Sequence, residues 1–277
     1  LISYPNCKIN LGLHILRKRS DGYHDLETVF YPLPFPDILE IIPDTTKKDV
    51  IHFQSSGINL NSPAGDNLCI KAYQLLKKDF PQIPPIQMHL HKQIPTGAGL
   101  GGGSADAAFT IKMLNEIAGL GLSHSAMMDY AAQLGSDCPF FILNQPCYAT
   151  GRGELLEPIA VDLSGFDIVL INPGIHVNTR VAFEGIQPVQ PAYSLKEQIL
   201  KPVEEWKHFL QNDFEKTVFK QYPEIPEIKN TLYGYKALYA AMTGSGSSVF
   251  GIFTKGSLPE LSLPAHYFVK KMQALAR

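Results

Sequence analysis

Between Pro95 and Ser104 the chain reads PTGAGLGGGS, with five glycines in the seven positions from 97 to 103 and no charge. Ile86, Met88 and Leu90 alternate ahead of this run, and Ala107, Ala108, Ile111, Leu114 and Ala118 follow it at helical spacing. The run is therefore a connection from a strand into a helix. Glycines without Cβ let backbone N–H groups turn toward one point and let a bulky ligand come close. The helix N-terminus behind them adds unpaired donors and partial positive charge. Together these make a site for a polyphosphate. A plain tight connection needs only one or two glycines, and ordering so many has a large entropic cost.

Two familiar phosphate loops fit poorly. Gly97-Ala98-Gly99-Leu100-Gly101-Gly102 satisfies GxGxxG, but a dinucleotide fold needs a strand ending in an acidic residue about 20 positions on. Here that region is Leu120-Gly121-Leu122-Ser123-His124, followed by another helical pattern. Gly97 and Gly102 have the spacing of a GxxxxGK[ST] loop, but Gly103 stands where that loop needs its lysine. Any cation at this loop must come from elsewhere in the chain.

A length of 277 residues suits one large or two medium domains, and 45% apolar with 18% charged residues is a globular composition. A net charge of −2 argues against a broad nucleic-acid footprint. The one dense basic run, Arg17-Lys18-Arg19, reads as a solvated loop face. Cys7, Cys69, Cys138 and Cys147 form no CxxC or zinc pattern and read as reduced, mostly buried thiols. There is no signal-peptide pattern and no apolar stretch of about 18 residues to span a bilayer. A cytoplasmic protein, monomer or homodimer, is expected, with no nucleic-acid or membrane partner.

Residues 7–16 alternate as a strand, placing Lys8 and Asn10 on one face. Ser20-Asp21-Gly22 is a turn, 23–30 a returning strand, and Pro32, Pro34 and Pro36 are expected to break it. A strand over 38–42 follows, then a helix over 66–80 with Asp66 as its N-cap, a strand over 86–94, and helices over 104–119 and 123–135, the latter capped by Ser123. Composition changes near 150. Beyond it lie a strand within 161–172, a long polar helical region from Ser194 to about Tyr222, and a second small-residue run, Thr243-Gly244-Ser245-Gly246-Ser247-Ser248, leading into a strand over 249–253. This mixture predicts an α+β fold with domains at 1–150 and 151–277.

PTGAGLGGGSADAA resembles the phosphate loop of the GHMP kinases. The N-terminal Lys8-Ile9-Asn10-Leu11-Gly12-Leu13 and the C-terminal Met242-Thr243-Gly244-Ser245-Gly246-Ser247-Ser248-Val249-Phe250 stand where that superfamily has its other motifs. KINLGLHILRKRSDGYHDLETVF and Leu134-Gly135-Ser136-Asp137-Cys138-Pro139-Phe140-Phe141 resemble the branch acting on 4-diphosphocytidyl-2-C-methyl-D-erythritol in non-mevalonate isoprenoid synthesis. Ser104 is followed by Ala105 where that branch often has paired serines, which leaves the role of a second hydroxyl open.

The resemblance implies a two-domain GHMP kinase fold, with an N-terminal ribosomal S5 domain 2-like part that binds ATP and a C-terminal ferredoxin-like part that binds substrate. It implies transfer of the γ-phosphoryl of ATP, with Mg²⁺, to the 2-hydroxyl of that small-molecule substrate. Asp137 would be the general base and Lys8 its cationic partner beside the transferring phosphoryl. Pro95, Thr96, Gly97, Ala98, Gly99, Leu100, Gly101, Gly102, Gly103, Ser104 and Ala105 would wrap the ATP phosphates, with Ser104 a ligand of Mg²⁺. Tyr23 would stack on the cytosine and His24 hydrogen-bond its edge. Asn10 would bind substrate hydroxyls or the diphosphate. Gly244, Ser245 and Gly246 would line the phosphates. A homoserine or mevalonate kinase shares the loop, but its substrate has no cytosine for Tyr23 and His24. A non-catalytic nucleotide-binding module would keep the glycines without needing Lys8 and Asp137 together.

Overall fold

The computed structural model describes residues 1–44, 46, 51–60 and 64–274. In chain order a short strand β1 (Ile2–Ser3) precedes the long strands β2 (Asn6–Lys18) and β3 (His24–Pro36), then β4 (Ile38–Pro43), β5 (Ile51–Gly57), helix α1 (Leu68–Asp79) and β6 (Ile86–Lys92). Helices α2 (Gly102–Ile117), α3 (His124–Leu134) and α4 (Cys138–Leu143) follow. Next come β7 (Cys147–Thr150), β8 (Leu155–Pro158), β9 (Phe166–Asn172), α5 (Thr179–Phe183) and α6 (Leu195–Gln198). The last elements are α7 (Glu215–Gln221), α8 (Glu224–Gly234), β10 (Tyr239–Met242), β11 (Val249–Thr254) and β12 (Phe268–Gln273).

These elements gather into two compact units, each built from separate stretches. The first comprises Leu1–Cys7, Phe35–Thr96 and Gly101–Gln145; the second comprises Lys8–Pro34, Gly97–Leu100 and Pro146–Arg277.

In the first unit a sheet of order β1-β4-β6-β5 carries antiparallel pairs except for β5, which runs parallel to β6. The alternation of β6 buries Ile86, Met88 and Leu90 on one face, with α1 to α4 packed together in the same unit. The stripe Ala107, Ala108, Ile111 and Leu114 of α2 is fully buried, its small residues permitting close helix approach. Ser123 caps α3, accepting from the Ala126 N–H at 3.2 Å. The cap of α1 is not Asp66 but Asn67, whose Oδ1 accepts from the Cys69 N–H at 2.8 Å. Asp66 instead closes a 3₁₀ turn over Ala64–Asp66, which moves the cap one residue on.

In the second unit one sheet has the order β2-β3-β7-β8 and another the order β10-β11-β9-β12. β9 lies between two antiparallel neighbours, and its run Ile168-Val169-Leu170-Ile171 is completely buried, which explains why it is apolar throughout rather than alternating. Leu13, Ile15, Val169, Ile171, Phe214, Leu232 and Phe253 belong to one core cluster.

The expected break at Pro32, Pro34 and Pro36 does not occur: β3 continues to Pro36. Prolines at every second position remove N–H groups on one side of the strand only, and the intervening residues keep theirs for the neighbour on the other side. β7 pairs with β3 only at Thr28, Val29 and Phe30, so the prolines lie beyond that ladder. The long helical region after Ser194 is not continuous either. It splits into α6, a 3₁₀ segment over Val203–His208 and α7, because Pro202 cannot continue α6 and Asn212-Asp213 turn inward.

Asp213 shows what that inward turn does. Its Oδ2 accepts from the Ile15 N–H at 2.9 Å and its Oδ1 from Lys216 at 2.8 Å, while its own N–H donates to the Leu13 carbonyl at 2.9 Å. Burial alone would raise this carboxyl, but hydrogen bonds from His14, Lys216 and Ile15 outweigh it and hold the pKa at about 2. A carboxyl depressed in the folded state adds stability above its unfolded value, and that stability is lost as pH falls through the folded one. Asp213→Asn is expected to cost about 2 kcal/mol at neutral pH and to flatten the loss of stability between about pH 4 and pH 2. Urea unfolding at stepped pH measures it, and parallel curves for both proteins would refute it.

Among the described residues no helix is long and apolar enough to cross a membrane.

Candidate active site

Three of the predicted motifs meet in the second unit around one amide. Asn10 is buried on β2, 2% exposed. Its Oδ1 accepts from Lys8 Nζ at 2.7 Å and from the Gly244 N–H at 3.0 Å. Its backbone N–H donates to Thr243 Oγ1 at 3.0 Å, and its Nδ2 donates to Thr28 Oγ1 at 2.9 Å. The Thr243 hydroxyl lies 3.2 Å from Asn10 Oδ1 and 3.1 Å from the Gly99 carbonyl oxygen. Lys8, 3% exposed, also lies 4.9 Å from the centroid of the Phe30 ring. The alternation of β2 explains the pair, since residues two apart share a face. Both polar ends of the Asn10 side-chain amide are hydrogen-bonded within the protein, so Asn10 fixes where the Lys8 ammonium sits.

The glycine run is held by the same residues. Gly97, Gly99 and Gly101 take φ of 63°, 77° and 70°, the left-handed region that favours glycine. A Cβ on Gly99 would collide with the Thr243 carbonyl oxygen. One on Gly244 would stand 3.1 Å from the Gly99 Cα. The backbone is stitched from two sides: Lys8 N–H to the Leu100 carbonyl at 3.0 Å and Ser248 N–H to the Ala98 carbonyl at 3.2 Å. Ala98 and Leu100 are buried anchors, whereas Thr96, Gly97 and Gly103 are exposed. The helix begins inside the run, at Gly102 rather than at Ser104, because Gly101 in the left-handed region opens it. No side chain caps α2, which leaves the N–H groups of its first turn without side-chain acceptors.

Ser104 and Asp137 belong to the first unit, and each acts on Cys138. Asp137 stands at the start of α4 with helical backbone angles, and its side chain makes no capping hydrogen bond to that helix. Burial pushes the adjacent Cys138 thiol up to about 12, the Ser104 hydroxyl bonding to it and the Asp137 charge raising it further. Lys8 and Asp137 belong to different units.

Tyr23 and His24 close the turn between β2 and β3, where the Arg19 N–H donates to the Tyr23 carbonyl at 2.8 Å. Tyr23 is 57% exposed, with the Arg152 guanidinium 5.1 Å from its ring centroid. His24 stacks on Phe183 with centroids 4.7 Å apart and 12° between planes, and Phe183 meets Phe214 edge-on at 4.8 Å. Burial, then the Lys18 charge, lowers the His24 pKa, so the ring is neutral near pH 7 with one donor and one acceptor nitrogen. The Gly244-Ser245-Gly246 turn is braced by Asn212, whose Nδ2 donates to the Met242 and Gly244 carbonyls at 2.8 Å each, while the Ser245 and Thr179 hydroxyls are 3.0 Å apart. Phe183 and Asn212 lie in no motif read from the sequence; their roles come from partners far along the chain.

Comparison with known proteins places this geometry. Residues 67–145 match the GHMP kinases N terminal domain and residues 193–263 the GHMP kinases C terminal domain. A 4-diphosphocytidyl-2-C-methyl-D-erythritol kinase of Bacteroides fragilis (strain YCH46) is 54% identical over 256 residues, 92% of each chain. The corresponding protein of Bacteroides thetaiotaomicron is 52% identical over 274 residues, 98% of this chain and 99% of that one. A crystal structure of 4-(cytidine 5'-diphospho)-2C-methyl-D-erythritol kinase superposes with a TM-score of 0.78 at 28% identity, covering 99% and 100%. Methanococcus jannaschii mevalonate kinase shares the fold, with a TM-score of 0.72 at 14% identity, covering 100% and 98%. A two-domain α+β fold of this kind, with two matched domains and half of all residues shared along nearly the whole length, makes the chain a GHMP kinase and a member of the 4-diphosphocytidyl-2-C-methyl-D-erythritol kinase family.

Proposed function

We propose that this chain transfers the γ-phosphoryl of ATP to the 2-hydroxyl of 4-diphosphocytidyl-2-C-methyl-D-erythritol, in the non-mevalonate route to isoprenoids. The observation that carries the reading is the meeting at Asn10, where a buried lysine, the glycine run and the Thr243-Gly244 turn share hydrogen bonds. That supplies the cation the loop lacks. The relatives' names supply the alcohol.

In this reading the 2-hydroxyl oxygen bonds to the γ-phosphorus as the bond to the β–γ bridging oxygen breaks, and ADP leaves. Asp137 accepts the hydroxyl proton. Lys8 offsets charge on the transferring group, and the first-turn N–H groups of α2 face the phosphate oxygens. A bound Mg²⁺ would supply charge neutralisation at the phosphates and would need hard oxygen ligands. The Ser104 hydroxyl at the first turn of α2 is of that class. Tyr23 and His24 read the cytosine.

His24→Ala is expected to raise KM for the cytidylyl substrate about tenfold and leave KM for ATP unchanged, as loss of a hydrogen-bonding group at one base. An unchanged KM for that substrate in steady-state assays would remove the role. The reaction itself is tested by ADP release from Mg-ATP with the cytidylyl alcohol, homoserine and mevalonate in parallel. Release with the first alone is expected; release with homoserine or mevalonate instead would overturn the substrate assignment.

A further inference from the structure

Lys92, Asp37 and Asp106 form an ion cluster in the first unit, at 2%, 0% and 2% exposure, and no step above uses them. Lys92 ends β6, Asp37 joins β3 to β4, and Asp106 lies in α2. Lys92 Nζ donates to Asp37 Oδ2 and, at 2.7 Å, to Asp106 Oδ2. Asp37 Oδ1 takes the N–H groups of Gln93 at 2.6 Å and Ile94 at 2.9 Å. Gln93 adds a hydrogen bond from Nε2 to the Pro36 carbonyl at 3.0 Å. A Cβ on Gly102 would stand 3.0 Å from Lys92 Nζ, so the ammonium lies directly against the first residue of α2.

One cluster thus grips the backbone where it enters the glycine run and the helix where it leaves. Three charges withdrawn from water are a costly way to gain stability, since apolar groups of similar volume often do as well. What such a cluster gives is fixed geometry. Burial raises the Asp106 carboxyl to about 7 against the pull of Lys92, and its Oδ1 has no hydrogen-bond partner.

We infer that Lys92, Asp37 and Asp106 are positioning residues that clamp the two ends of the glycine run in register for the nucleotide phosphates. The nucleotide half of this rests on the kinase reading; the clamp itself does not. The test uses the full chain and the triple variant Lys92→Met/Asp37→Asn/Asp106→Asn, which removes all three charges together so that none is left buried and unpaired. Amide hydrogen exchange, calorimetric titration with Mg-ATP and the KM for the cytidylyl substrate are compared with the parent protein.

The triple variant is expected to melt cooperatively, exchange about tenfold faster over 93–106 alone, and bind ATP about tenfold more weakly with the other KM within twofold, because small misplacements of a binding group are costly. A folded triple variant with parental exchange over 93–106 and ATP affinity within twofold overturns the inference. Should the triple variant not fold, Asp106→Asn alone, which keeps the Lys92–Asp37 pair and the side-chain shape, is expected to speed exchange over 93–106; parental exchange in it also overturns the clamp. A parent protein that binds no ATP, with exchange altered as expected in the variant, sinks the kinase reading and leaves the clamp standing.

Discussion

Asp137→Asn is expected to lower kcat by about 10²–10⁴-fold, the usual worth of a positioned general base. KM for ATP and for the alcohol should stay within a few-fold, and the melting temperature within a degree or two. The physical reason is that the amide keeps the carboxylate's shape but cannot take a proton. Lys8→Met is expected to be similarly severe in kcat, and its fold should survive because Asn10 Oδ1 keeps the Gly244 N–H and faces the Thr243 hydroxyl. If the two side chains act as a unit on one phosphoryl, the double variant is little worse than either single one. Stopped-assay kinetics of the four proteins decide this. Near-parental kcat in either single variant removes that residue's role, and full additivity separates their actions.

The second large effect is expected at Gly99. Alanine there must hold φ near 77°, at a cost of about 1–2 kcal/mol, and place a methyl group against the Thr243 carbonyl, which belongs to the backbone and cannot rotate away. Overpacking adds about 1–3 kcal/mol. The strain falls on the segment sewn to Lys8 and Ser248, so ATP binding should be lost along with about 2–5 kcal/mol of stability. Gly103→Ala is the control. A Cβ there meets nothing nearer than Leu68 Cδ1 at 3.8 Å, and inside a helix alanine is the better residue by about 1 kcal/mol. Urea unfolding should therefore separate the two glycines in opposite directions. Equal stability of the two variants would contradict the packing account of Gly99.

Local patterns carried much of this molecule. The alternation in β2 placed Lys8 and Asn10 on one face, Ser123 marked the start of α3, and the small-residue run before Val249 marked a turn into β11. What local patterns hid has identifiable causes. β5 ends in Ser55-Ser56-Gly57 and owes its strand character to parallel pairing with β6, a partner 35 residues on. α8 carries Pro226 near its start, where a first-turn proline is tolerated but reads as a breaker. α1 took its cap from Asn67 because a 3₁₀ turn consumed Asp66. In the site, resemblance named the residues, yet it could not show that Asn10 is buried with its amide bonds spent inside the protein. Nor could it show that Thr243, 233 residues from Asn10, completes that node. Residues 8–34 pack in one unit with residues 146–277, an arrangement no short window of sequence encodes.

In the proposed reaction the γ-phosphoryl of ATP moves to the 2-hydroxyl of the diphosphocytidyl alcohol. Phosphorus NMR of a reaction containing this chain, Mg-ATP and that alcohol measures it directly. The γ-phosphate signal is expected to be replaced, one for one with ADP, by that of a phosphomonoester on the methyl-bearing carbon of the substrate, and Asp137→Asn is expected to suppress the change. Inorganic phosphate as the only new signal, or ATP left intact beside the alcohol, would contradict the proposed reaction.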